Sequence, residues 1–211
     1  MKYKTVIWDF NGTLLDDVIT GIESVNVMLE KRGLATLDSV EDYYDKFSFP
    51  IRDYYARLGF DFEREPFEEL AVEWVELYLE KSSGAVLRVG ARELIEKLHA
   101  AGVEQIVLSA SEQKMLEGQL DALGIAQYFS RVCGCKDIHA HGKTDAAREL
   151  SKTIGGECIM IGDTLHDYEV ARELGADCIL LTGGHHSERM LSECGAVICR
   201  DHTELGKLLG F

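Results

Sequence analysis

The chain is short of positive charge, of proline and of long apolar runs, and each shortage excludes something. Nowhere does it approach the roughly 20 consecutive apolar residues of a membrane-spanning helix, so no span is expected. Met1 to Lys4 lead straight into a strand-like segment and do not form a signal peptide, which makes a cytoplasmic location the expectation. Lysine and arginine number 22 against 37 aspartates and glutamates, for a net charge of -15. Such a surface repels phosphate backbones and anionic lipids, so neither nucleic acid nor membrane is expected as a partner. An anionic small molecule is compatible only where a metal ion, a lysine and backbone N–H groups reverse the field inside one pocket. The six cysteines, at 133, 135, 158, 178, 194 and 199, lie in the second half and include no C-x-x-C pair. A zinc site is therefore not expected, and Cys133-Gly134-Cys135 reads as small, partly buried thiols near a strand end.

What is present is enough for one sizeable core and a smaller satellite domain: 211 residues, 46% of them hydrophobic. Tyr3 to Trp8 is a short apolar strand that runs into Asp9-Phe10-Asn11-Gly12-Thr13, where polar residues and glycine force a turn. From Asp17 to Ser83 the apolar residues recur at helical spacing, as in Val18, Ile22, Val25 and Leu29 and again in Val72, Val75 and Leu79. Both prolines, Pro50 and Pro66, fall in this stretch and suit helix starts, Pro66 opening the longest helix. After Gly84, helical segments separate apolar runs at 104–109, 131–133, 157–161, 177–181 and 196–198. Such alternation implies a parallel sheet with crossover helices on both faces, a doubly wound α/β layer with ligands at the carboxyl ends of the strands. The expected organisation is an α/β core of residues 1–15 and 85–211 interrupted by an all-helical cap of residues 16–84.

Four polar groups stand at strand ends or ahead of a helix and can meet in one cleft: Asp9 to Thr13, Ser109-Ala110-Ser111, Lys143, and Gly162 to Asp167. Three carboxylates, Asp9, Asp163 and Asp167, cannot converge without a cation, because like charges at a few ångströms force one of them to keep its proton. Mg²⁺, with its preference for oxygen ligands, fits the donor set. Asp167 stands four residues after Asp163, on the same side of the helix start. Lys143 supplies a point charge for phosphoryl oxygens, Ser109 a hydroxyl, and the backbone N–H groups of Ala110, Asn11 and Gly12 further donors. With charge drawn from phosphorus, Asp9 can attack in line and form an aspartyl-phosphate that water hydrolyses.

In order and spacing, Asp9-Phe10-Asn11-Gly12-Thr13, Ser109, Lys143 and Gly162-Asp163 with Asp167 resemble the four motifs of the haloacid dehalogenase superfamily. The helical insertion resembles the cap of the subgroup that contains phosphoglycolate phosphatase and β-phosphoglucomutase. The resemblance implies that Asp9 is nucleophile and metal ligand, that the Asn11 main-chain carbonyl and Asp163 are ligands, that Asp167 supports the metal, and that Ser109 and Lys143 hold the phosphoryl group. It also implies a small phosphorylated metabolite as substrate, phosphoglycolate first among candidates.

One position departs from the pattern. Family phosphatases carry a second aspartate two residues after the nucleophile, to protonate the leaving oxygen and later activate water, and here that residue is Asn11. Loss of a general acid or base costs ~10² to 10⁴ in rate, more for alkyl than for acyl, enol or aryl phosphates. Two readings stay open: a phosphatase with a suitable substrate or a substitute acid, and a phosphometabolite-binding relative with little turnover. Asp16 and Asp17 are candidates for the substitute, although capping of the first cap helix is their expected role. Deamidation at Asn11-Gly12 is a further route to an acid. Arg52 either clamps a substrate anion or pairs at the surface. Ser111 reads as a helix cap, and His139, His141, His166, His185 and His186 as solvated or supporting residues, since they form no recognised ligand spacing. Gly142-Lys143-Thr144 is not a nucleotide-binding loop, because Asp137 occupies the position where that loop needs glycine. A mutase would want the missing acid, dehalogenating relatives do without the metal, and a phospho-acceptor signalling domain has its aspartate on a middle strand and no such insertion.

Overall fold

The computed structural model describes residues 2–135 and 143–211, apart from the side chain of residue 145. Histidines 139 and 141, Asp137 and Gly142 lie outside the described residues. The first strand, β1 (Thr5–Trp8), is buried along its whole length, as befits the middle of a parallel sheet. The short strand β2 (Leu15–Asp16) follows, then helices α1 (Val18–Lys31), α2 (Val40–Lys46), α3 (Ile51–Leu58) and α4 (Phe67–Lys81), and β3 (Val86–Leu87). The chain continues through α5 (Ala91–Ala100), β4 (Glu104–Glu112), α6 (Gln113–Ala122), β5 (Arg131–Cys135) and α7 (Thr144–Ser151). It closes with β6 (Cys158–Gly162), α8 (Leu165–Leu174), β7 (Asp177–Leu181), α9 (Glu188–Leu191), β8 (Val197–Cys199) and α10 (His202–Leu209).

Six strands form one sheet in the order β5-β4-β1-β6-β7-β8, with every pairing parallel. The alternation of side chains along each strand divides the core in two. Val6, Trp8, Val107, Ile159 and Ile161 face one layer of helices, which contributes Leu94, Leu98, Leu116 and Leu205. Ile7, Ile106, Leu108 and Met160 face the other, with Ala147, Leu150, Val170 and Ala171. The strand order turns back at β1, so the crevice at the carboxyl ends of β1, β4 and β6 is where such a sheet receives ligands.

Most strand expectations hold within one or two residues. The second long strand runs three residues past Ser109, because a register shift lets Glu112 pair with Cys135. Cys133 and Cys135 are half-buried thiols in the edge strand β5. Gly134 is required there, since a Cβ would lie 2.8 Å from Gln113 Cα and 2.9 Å from the Ser111 carbonyl.

Helices α1 to α4 enclose a separate apolar cluster that includes Val25, Met28, Leu29, Tyr43, Phe47, Tyr55, Phe67 and Leu70. Pro50 and Pro66 stand immediately before α3 and α4, where a fixed φ suits helix entry and no N–H is lost to the helix. Arg32 ties the module together, with Glu65 Oε1 at 2.7 Å and Glu73 Oε2 at 2.6 Å. Both chain crossings into the module run side by side as the antiparallel pair β2 and β3, and Arg88 bonds the carbonyls of Gly12 and Thr182, each at 2.6 Å. Among the described residues, no helix is long and apolar enough to cross a membrane.

Candidate active site

Asp9 follows β1 directly, and Asp163 follows β6; the same register that pairs Trp8 with Ile161 sets their carboxylates side by side. Asp167 joins them from the first turn of α8. Thr164 caps that helix in a reciprocal capping box, its hydroxyl and N–H both donating to Asp167 Oδ2, at 2.7 and 2.9 Å. Carboxylate oxygens of Asp9, Asp163 and Asp167 all lie within 4.8 Å of one another, and all three residues are buried. Lys143, at the start of α7 and also buried, donates to Asp9 Oδ1 and, at 2.5 Å, to Asp167 Oδ1. Ser109 is buried at the end of the apolar part of β4, beside Ala110 at the cavity wall.

Electrostatics show what this cluster wants. Burial first, then the neighbouring carboxylates, pushes Asp9 well above the ordinary carboxylate range even against the pull of Lys143. Asp163 is raised too, by burial and Asp167. Burial also acts to raise Asp167, but Lys143 outweighs it and holds that carboxylate low. Lys143 is held above its ordinary value by Asp167 and Asp9 despite its own burial. One ammonium thus compensates part of three carboxylates, and the remainder suits a hard divalent cation. The packing around Asp163 admits only glycine at two neighbouring positions: a Cβ on Gly12 would lie 2.4 Å, and one on Gly184 2.2 Å, from its Oδ2. Thr13 Oγ1 at 2.8 Å and the His185 N–H at 2.6 Å hold Asp163 in place.

Several residues have roles other than those expected. Asp17 sits at the N-cap position of α1, yet its side chain makes no cap hydrogen bond to that helix. Its carboxylate turns back to the loop after β1, accepting from the Gly12 N–H, Asn11 Nδ2 and Tyr78 Oη, each at 2.7 Å. The Gly12 N–H, expected to face a phosphoryl group, is therefore engaged within the protein. Asp16 is exposed on β2. Ser111 does not cap α6; Glu112 does, and Ser111 Oγ donates to Asn11 Oδ1 at 2.7 Å. Asn11 Nδ2 also reaches Tyr78 Oη at 3.0 Å, so both ends of the amide are bound. His185 is half-buried in the site: it shares a hydrogen bond of 2.7 Å with Tyr43 Oη, and its Nε2 lies 3.6 Å from Asp17 Oδ1. Asp17 offsets the cost of burying that imidazole and lifts it to about 9. Arg52 is exposed on α3, its guanidinium 4.4 Å from the Phe62 ring centre, and it does not line the site. His166 stacks at 4.9 Å on Phe49, and His186 accepts from the Leu165 N–H at 3.1 Å.

A doubly wound sheet, a helical cap and a carboxylate–lysine cluster at the strand ends define a class of hydrolase, and sequence comparison agrees. The profile of the haloacid dehalogenase-like hydrolases matches residues 6–181, and the chain belongs to that family. A phosphoglycolate phosphatase of Pseudomonas savastanoi is 25% identical over 185 residues, 80% of this chain and 65% of the relative. One of Caulobacter vibrioides is 24% identical over 172 residues, 77% of this chain and 72% of the relative. The chain thus spans about two thirds of the length of these curated relatives. In fold it is similar to a haloacid dehalogenase-like hydrolase of Streptococcus pneumoniae, with a TM-score of 0.85 at 19% identity and 99% of each chain covered.

Proposed function

We propose that this protein is a Mg²⁺-dependent phosphomonoester hydrolase of a small phosphorylated metabolite, with Asp9 as the residue that carries the phosphoryl group. The observation behind the reading is the clustering of three buried carboxylates at the ends of β1 and β6 and the start of α8, two of them, Asp9 and Asp167, bound by Lys143. Asp9, Asp163 and the Asn11 carbonyl would hold the ion, with Asp167 beside them; when bound, it draws charge from the phosphoryl oxygens. Lys143 orients Asp9 by holding one of its oxygens, and leaves the other to attack phosphorus in line. Ser109 and Lys143 hold the transferred group, the ester oxygen departs with its electron pair, and water then releases phosphate from Asp9.

Asn11 favours a second reading, since an amide bound at both ends neither gives nor takes a proton. Under it, the chain binds a phosphometabolite and turns it over little. Turnover of p-nitrophenyl phosphate and of phosphoglycolate, the substrate in the relatives' names, separates the two. Hydrolysis requires that wild type be active with Mg²⁺, that EDTA abolish the activity, and that Asp9→Asn lower it at least ~10³-fold. A silent wild type that still binds, with an active Asn11→Asp, establishes the binding reading instead.

A further inference from the structure

The cavity above the carboxylates measures about 160 Å³. Its polar floor is the site already described; its walls are mostly apolar. They are built by Phe47, Phe49, Tyr54, Phe67 and Trp74 of the cap and by Met115 of α6. The rings pack on one another, Phe47 against Tyr54 at 5.3 Å and against Phe49 at 5.6 Å between centres, so the surface is preformed. A cavity of roughly 150 Å³ holds one benzene ring, which sets the scale of what fits.

Charge narrows the choice further. Among the described residues lining the cavity, only Lys143 and His185 are cationic types. Lys143 is bound to Asp9 and Asp167, and His185 faces Asp17 and Tyr43. A carboxylate on the organic part of a substrate, as in phosphoglycolate, has no cation in the cap to receive it, and Glu112 at the wall repels it. The Tyr54 hydroxyl is buried at the wall with no hydrogen-bond partner among the described residues. It is suited to one polar substituent on an otherwise apolar group.

A separate observation concerns the leaving group. Asn11 cannot protonate a departing alkoxide, and its amide is fixed by Asp17, Tyr78 and Ser111. A phenol ionises near pH ~10, as tyrosine does, and needs no such help. Both lines lead to the same molecule. Resting on the phosphatase reading above, we infer that the substrate class is a phosphate monoester of a single-ring phenol whose organic part carries no charge. In the first step the bond from Asp9 oxygen to phosphorus forms as the bond from phosphorus to aryl oxygen breaks. The electron pair leaves on the phenolate, and the water that later cleaves the aspartyl-phosphate supplies its proton.

Four phosphates separate ring from leaving group: phenyl phosphate (ring, weakly basic leaving group), benzyl phosphate (ring, alkoxide), the mixed anhydride acetyl phosphate (no ring, weakly basic) and phosphoglycolate (no ring, alkoxide, anionic). Binding to the full-length Asp9→Asn variant with Mg²⁺ is expected to be at least ~10-fold tighter for the two ring esters than for the other two. Wild-type kcat/KM is expected to be at least ~10²-fold higher for phenyl than for benzyl phosphate, because only the latter's leaving alkoxide needs the acid that Asn11 cannot supply. Phe49→Ala should narrow the binding advantage of the ring esters. Hydrolysis without ring preference, or phosphoglycolate bound as tightly as phenyl phosphate, overturns the substrate class and leaves the hydrolase reading standing. Ring-selective binding with no turnover of any ester overturns the hydrolase reading and leaves the ligand class standing.

Discussion

The amide nitrogen of Asn11 lies 2.7 Å from Asp17 Oδ2 and donates to it, in a pocket that also buries Tyr78. The charge on residue 17 and the neutrality of residue 11 therefore depend on each other. Asn11→Asp sets a second carboxyl group at hydrogen-bond distance from the buried Asp17, which is expected to cost about 3 kcal/mol in urea denaturation. Adding Asp17→Asn exchanges the partners and should recover most of that loss, a coupling that a double-mutant cycle reads directly. The exchanged pair also places an acid at position 11. Its kcat/KM toward benzyl phosphate should rise ~10²-fold over wild type, with far less change for phenyl phosphate. Additive stabilities in the cycle would sink this account of the pair.

Gly184 is needed because of Asp163, not because of its own backbone: a Cβ there would lie 2.4 Å from Asp163 Cβ and 2.2 Å from Oδ2. Gly184→Ala must push that carboxylate aside. With Mg²⁺ at about 100 times its dissociation constant, wild type should gain about 2.7 kcal/mol, seen as a rise of roughly 5 to 10 °C in Tm. Gly184→Ala is expected to lose most of this shift while keeping a cooperative transition without the ion. An undiminished Mg²⁺ shift in the variant contradicts the role given to Asp163.

His202 begins α10 and is buried against Trp8, their ring centres 6.1 Å apart. Burial, with Arg88 nearby, pushes its imidazole down from 6.5 to about 4. The unfolded chain takes up a proton on this ring as pH falls through 6.5, whereas the folded protein resists until about 4. The neutral ring costs nothing above pH 7, and stability drains away between those two values. At pH 5 the loss from this residue is about 2 kcal/mol. Urea denaturation at pH 7 and pH 5 should show His202→Phe less acid-sensitive than wild type by that amount. Equal losses in the two proteins would remove His202 from the acid response.

Legibility from sequence followed the range of the forces concerned. Asp9, Ser109 and Asp163 were readable because a parallel sheet sends its strand ends to one edge, and alternating apolar runs reveal the strands, whereas Lys143 and Asp167 stand at helix starts and were read from their place in the motif order. The same rule applied after Leu181 would have flagged His185, four residues beyond β7. Asp17 and Ser111 were misread as caps for a shared reason. Local spacing offers each a helix N-terminus, but the nearby Asn11 side chain and Gly12 N–H compete for the same oxygens and win. Tyr78 gave no signal at all. The apolar periodicity in α4 picked out Val72 and Leu79, which are exposed, and nothing in it indicates that the Tyr78 hydroxyl reaches across from the cap to the loop after β1.

The β2–β3 ribbon is only two residues wide, and both passages between the six-stranded sheet and the helical module run through it. Asp17 and Tyr78 belong to the stretch that leaves through β2, and Asn11 to the loop after β1. The amide of Asn11 is therefore a tie across the seam between sheet and helical module, and the side chain at the position of the missing acid also fastens the two layers together.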